Sequence, residues 1–156
     1  MSASDEFLAS MLPRLLEADT AIHNGDAQPR KALWSTRDPV TLFGAAITAT
    51  GWPVLEATFD QLAARFSGCR SFEIELVAAG AAGNLAYLVA YEHTTASIAG
   101  KPPVPHTLRV TTIFRREDGD WKVVHRHGDA LLSGDDARER LAALGSAEPG
   151  KPPEPA

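Results

Sequence analysis

Cysteine is nearly missing from this chain, with Cys69 the only one among 156 residues. A single thiol excludes an internal disulfide and lacks the second sulfur of a Cys-x-x-Cys redox pair, so Cys69 reads as a small residue at a strand edge. Long apolar runs are missing too. No stretch approaches the ~20 apolar residues that span a bilayer. The opening MSASDEF carries acids where a secretory signal carries bases. The expectation is a cytoplasmic chain with no membrane partner. Basic excess is likewise absent: a net charge of -5 gives no general attraction to phosphate backbones or anionic lipid, which argues against nucleic acid as a partner.

What remains is the composition of an ordinary folded protein, 44% hydrophobic and 22% charged, on a chain long enough for one domain with a sizeable core. Phe7, Leu8, Met11, Leu12, Leu15, Leu16 and Ile22 recur at helical spacing after the candidate caps Ser2 and Ser4. They predict a long first helix, kinked or divided at Pro13 and ending in His23-Asn24-Gly25-Asp26. Pro29 is placed to open a short second helix carrying Leu33 and Trp34. Asp38-Pro39 breaks any helix, and Val40 to Ile47 reads as a first strand at a sheet edge. Gly51-Trp52-Pro53 starts a third helix whose stripe is Leu55, Phe59, Leu62 and Phe66.

From Phe72 the period falls to two, with Phe72, Ile74 and Leu76 against Glu73 and Glu75, the pattern of a strand with one wet face. Gly83-Asn84 turns into Leu85 to Thr95, apolar on both sides and therefore central in a sheet. Ser133 is a candidate cap for a last helix, Asp135 to Leu144, closed by Gly145. One domain over 1–145 is expected, and the Pro-rich tail 146–156 is expected to be disordered. Helices, an edge strand, a helix, four strands joined by short turns and a final helix are best accommodated by an α+β arrangement. Its sheet is curved and antiparallel, wraps the N-terminal helices and leaves a cavity.

Leu108 to Asp129, LRVTTIFRREDGDWKVVHRHGD, is the densest segment: two alternating strands around an Asp-Gly turn, the second ending in His-x-His. Its facing depends on the turn. A three-residue loop Glu117-Asp118-Gly119 pairs Arg109 with His127 and Thr111 with His125, making one polar cluster. A two-residue Asp118-Gly119 turn shifts the partnership by one residue and seats Arg109 and Thr111 with Arg126 instead. We take the three-residue loop. A His near neutrality beside an Asp can take and return a proton, and an Arg can hold an enolate or carboxylate oxygen. The same groups on an outer sheet face would instead hydrogen-bond across a dimer interface.

LWSTRDPVTLFGA (33–45), the helix opened by Gly51-Trp52-Pro53, and RVTTIFRREDGDWKVVHRHGD (109–129) together resemble the SnoaL-like members of the nuclear transport factor 2-like superfamily, over about residues 5 to 130. The resemblance implies a cone-shaped α+β fold, a pocket between sheet and helices, and a homodimer made through the sheets. It does not imply one activity, since steroid isomerases, polyketide cyclases, dehydratases, epoxide hydrolases and non-catalytic binding modules share it. The steroid isomerases carry a catalytic carboxylate near the place of Thr41, Leu42 and Phe43, where this chain has none. Their second acid falls near Thr111 or Thr112. The cyclases use a His and an Asp from the last strands, for which His125 or His127 with Asp129 stand available.

Two functional readings follow. In the first, a cofactor-independent isomerase, cyclase or dehydratase acts on a small hydrophobic carbonyl compound. His125 or His127 shuttles the proton, Asp129 orients it and Arg109 meets the oxyanion, while Trp34, Asp38, Tyr91, Thr111 and Arg126 line the ligand site. In the second, a non-catalytic dimeric module binds a ligand or a partner. No cofactor is expected, and no third residue stands at a spacing diagnostic of a metal site with His125 and His127. Asp38 also fits a turn cap, and Glu92-His93 is no dyad because strand neighbours point to opposite faces.

Overall fold

The computed structural model describes residues 1–146. Helix α1 (Ala3–Ile22) and helix α2 (Gln28–Leu33) precede two short strands, β1 (Thr41–Phe43) and β2 (Thr48–Thr50). Helix α3 (Trp52–Arg65) leads into the long strands β3 (Phe66–Ala82), β4 (Leu85–Ile98), β5 (Val104–Glu117) and β6 (Asp120–Ala130), and helix α4 (Gly134–Ser146) follows. One six-stranded sheet runs in the order β2-β1-β6-β5-β4-β3. Every neighbouring pair is antiparallel except β1 with β6.

Ser2 and Asp5 form a reciprocal capping box that starts α1, and the helix is not divided at Pro13. The proline forfeits a backbone hydrogen bond and costs ~3 kcal/mol. Phe7 and Met11 before it, and Leu15, Ala18 and Ile22 after it, are all buried. Each large apolar side chain among them contributes ~1.5–3 kcal/mol, which outweighs that loss. The predicted strand over 40–47 is instead a hairpin of two short strands, because Gly44 donates back to the Ile47 carbonyl and reverses the chain. Strand β3 starts earlier than the alternation suggests. Irregular pairing at 67–71 and 76–78 interrupts its period of two.

Parity along the strands divides the sheet into two faces. Leu88, Ala90, Glu92, Val110, Thr112 and Phe114 are buried beneath α1, α2 and α3 with Leu42. Their strand neighbours Tyr87, Val89, Tyr91, Arg109, Thr111 and Ile113 lie on the other face, which the three helices leave uncovered. The core cluster joins Phe7, Met11, Leu55, Phe59, Phe114 and Trp121. Residues 147–156, nearly all of the predicted tail, lie outside the described residues.

Candidate functional site

The hairpin sets the site. Glu117 pairs with Asp120, so the turn has two residues, Asp118 and Gly119, both left-handed with φ of 51° and 79°. The three-residue loop expected from sequence is therefore not formed. One residue of β6, Val124, is then extruded: Phe114 pairs with Val123 while Ile113 pairs with His125. The shorter turn and the bulge each displace the register by one. Beyond the bulge Thr111 pairs with His127 and Arg109 with Asp129. Parity is restored by this compensation, so Arg109, Thr111, His125, His127 and Asp129 share a face although their partners differ from those expected. The two-residue turn, before the bulge, places Val123 inward opposite Phe114, and Lys122, paired with Arg115, away from the core.

That shared face is the helix-free one. His125 Nδ1 lies 2.7 Å from the Thr41 hydroxyl, and the Phe43 ring stands edge-on to both His125 and His127, with centroids at 5.5 and 5.6 Å. Burial, and then the neighbouring His127, push the His125 pKa below its ordinary value. Arg109 donates to both oxygens of Asp129 at 3.0 and 2.7 Å. This pairing raises the Arg109 pKa and occupies the carboxylate that the sequence reading gave to an imidazole. Asp129 therefore holds a guanidinium rather than orienting a histidine. Tyr91, Arg109, Thr111, His127 and Asp129 line an open depression of about 290 Å³ with Val77 and Val89. Five of the nine residues chosen from sequence thus meet in one place, but it faces away from the helices.

The other choices go elsewhere. Trp34 is buried against Phe59, its ring 5.3 Å away, on the opposite side of the sheet from Tyr91. The two aromatic residues therefore cannot line one pocket. Asp38 is exposed and accepts from the Trp52 backbone N–H at 3.3 Å, capping α3. Arg126 points inward and donates to Glu92 at 2.8 and 2.5 Å, and this ion pair raises its pKa against the effect of burial. His93 and Glu92 do diverge. Glu92 turns inward, while His93 contacts Thr107 and Glu75 on the outer face.

Between helices and sheet lies a charged cluster that the sequence reading missed in part. Arg30 bonds Asp19, both buried, beside the Arg126–Glu92 pair. His23 donates from Nδ1 to the Asp19 carbonyl at 2.6 Å, and burial pushes its pKa down, which keeps the ring neutral. Asp19, Arg30, Trp34, Thr112 and Arg126 surround a space of only about 20 Å³. Among the described residues, Asp19 Oδ2 and His106 Nδ1 are the buried side-chain polar atoms without a partner. A signal was available: Asp19 falls on the Leu15–Ile22 stripe of the first helix, where a carboxylate is out of place. No group of three or more His, Cys, Asp or Glu among the described residues could hold a metal.

The six-stranded sheet enclosing N-terminal helices defines a protein of the nuclear transport factor 2-like fold. A solved structure from Salmonella enterica in that superfamily superposes with a TM-score of 0.68 at 18% identity, covering 83% of this chain and 92% of the other. One from Pseudomonas putida, of unknown function, gives 0.64 at 22% identity over 86% and 94%. A Streptomyces avermitilis member, provisionally assigned as a dehydratase, gives 0.61 at 20% identity over 80% and 99%. The SnoaL-like domain model matches residues 15–132, and the chain belongs to that family. No curated protein matches it.

Proposed function

We propose that this chain is a non-catalytic binding module that works as a homodimer through the helix-free face of its sheet. One observation carries the reading: the space between helices and sheet bounded by Asp19, Arg30, Trp34, Thr112 and Arg126 is about 20 Å³, room for a single water rather than a substrate. Both interior carboxylates are held by arginines. The outer face, by contrast, presents Phe43, Val77, Tyr87 and Ile113 at 44%, 59%, 46% and 37% exposure around the 290 Å³ depression. Exposed apolar groups on one sheet face, rimmed by His125, His127 and the Arg109–Asp129 pair, have the character of a protein interface. Val77, Val89 and Tyr91 with the Thr111 hydroxyl and the Arg109 guanidinium suit a small hydrophobic ligand bearing a carbonyl. A cytoplasmic setting accords with this reading.

Sedimentation equilibrium tests it. The wild type should be dimeric at micromolar concentration and Ile113→Asp should weaken association at least tenfold, while a monomeric wild type would refute the proposal. Asp19 Oδ2, buried and unpaired, favours a second reading in which the interior opens for acid–base chemistry. Turnover of small ketones or their dehydration substrates, abolished by Asp19→Asn, would select that second reading over the first.

A further inference from the structure

Helix α4 has no place in the core: none of its residues is buried, and Leu141 and Leu144 are 70% and 73% exposed. The sequence nonetheless builds it with care. Ser133 caps it, accepting from the Asp136 N–H at 3.3 Å and donating to the Asp136 carboxylate at 2.7 Å. Ala137, Leu141 and Leu144 form one stripe at spacings of four and three, bordered on its two sides by Arg138 and Arg140. A helix of 13 residues is marginal in water unless its apolar stripe is covered. On the same chain, the β3 side of the helix-free face has the complementary character. Val77 and Tyr87 are exposed there, and Glu73 and Glu75 share that face through their pairing with His93 and Tyr91.

We propose that α4 is an arm that docks on the sheet of a second copy. Leu141 and Leu144 cover the partner copy's Val77 and Tyr87 region, and Arg140 lies beside its Glu73. The helix's own Asp135 holds Arg138, and His93 holds Glu75. The exposed leucines with Arg140 therefore set the occupant, matching the exposed Val77 and Tyr87 and the acid Glu73 on this surface of its own kind. The inference rests on the sheet-paired homodimer and adds to it a second, reciprocal contact. The arm's own sheet is the competing surface. β6, where the chain departs, lies three strands from β3, about 14 Å by ordinary strand spacing, within the ~20 Å length of a 13-residue helix.

Two single-cysteine proteins separate these cases. In a Cys69→Ser background, one population carries Leu141→Cys and the other Val77→Cys, and they are mixed, allowed to exchange subunits and oxidised. A disulfide-linked heterodimer, absent when Glu56→Cys on α3 replaces Val77→Cys, is the expected result. Leu141→Glu with Leu144→Glu should weaken dimerisation at least tenfold and leave the melting temperature of the isolated subunit unchanged, since neither side chain is buried. A dimer that neither cross-links nor weakens overturns the arm and leaves the sheet interface standing. Rapid closure within a diluted chain carrying both cysteines, without the mixed product, overturns it in favour of the arm's own sheet. A chain that stays monomeric removes the arm and the interface together.

Discussion

Arg126 and Glu92 meet on the inner face of the sheet across the intervening strand β5, guanidinium to carboxylate at 2.8 and 2.5 Å, with both side chains almost wholly shielded. Each charge tolerates burial only because the other is present. Glu92→Ala should cost about 3–5 kcal/mol by leaving Arg126 unpaired, whereas Glu92→Leu with Arg126→Met should recover most of that loss. Urea denaturation of the three proteins checks the pattern. Equal destabilisation in the single and double variants would show that the pair is not the relevant unit.

Acid should unfold this domain in two stages. His23 and His125 have folded-state pKa values below 6.5, each chiefly through burial. The unfolded chain therefore takes up protons first as pH falls. Their contribution is fully present above pH 6.5 and is lost as pH drops through the depressed folded values. Glu117 and Asp120 follow at lower pH: burial pushes both up, but Ser35 and Arg115 on the first, and Arg14 on the second, hold them below the ordinary carboxylate range. His23→Gln should flatten the first stage and leave the second. Thermal melts from pH 8 to 3 would show this, and an unchanged slope between pH 6.5 and 5 would contradict it.

The turn offers a third test. Gly119 sits at φ 79° with open space where a Cβ would go, so Gly119→Ala is penalised by backbone strain alone, ~1–2 kcal/mol. Deleting Val124 is different in kind: Phe114 already pairs with Val123 and Ile113 with His125, so removing the extruded residue closes a regular ladder and leaves His125 and His127 outward and Arg126 inward. Both variants should fold, Gly119→Ala with a modest loss in urea denaturation and the deletion with His125 and His127 still solvent-facing by NMR titration. A deletion variant that fails to fold, or in which those imidazoles become buried, would mean that the Ile113–His125 pairing does not hold the facing beyond the bulge.

Much of this architecture was legible in periodicity. Leu85 to Thr95 alternates only weakly and sits between two neighbours, and Ser133, Pro29 and Gly51-Trp52-Pro53 mark helix starts as local chemistry demands. The hairpin shows why the site was only half legible. Its face came out as expected, but through a tight turn and a bulge whose effects cancel, and no local rule announces a bulge at Val124. The direction of that face, away from the helices, depends on which strand parity the helices cover, a tertiary fact. Asp19 and Arg30 escaped notice, and Glu92 was read only beside His93, because each pairs with a residue remote in sequence: 11 positions apart for Arg30 and Asp19, and 34 for Arg126 and Glu92.

A fourth expectation concerns the interior. Trp34→Ala should open a cavity beside the 20 Å³ space and cost ~3–5 kcal/mol, and small aromatic compounds that leave the wild type unaffected should stabilise the variant. A wild type that gains several degrees of melting temperature from such compounds would show that its interior is already open.

The most direct measurement is an NMR dilution series that follows side-chain signals on both faces of the sheet. The account predicts concentration-dependent shifts at Phe43, Tyr87, Ile113, His125 and His127 on the helix-free face, and none at Trp34, Thr112 or Phe59. Shifts absent from the outer face at every concentration, or confined to the helical side, would contradict it.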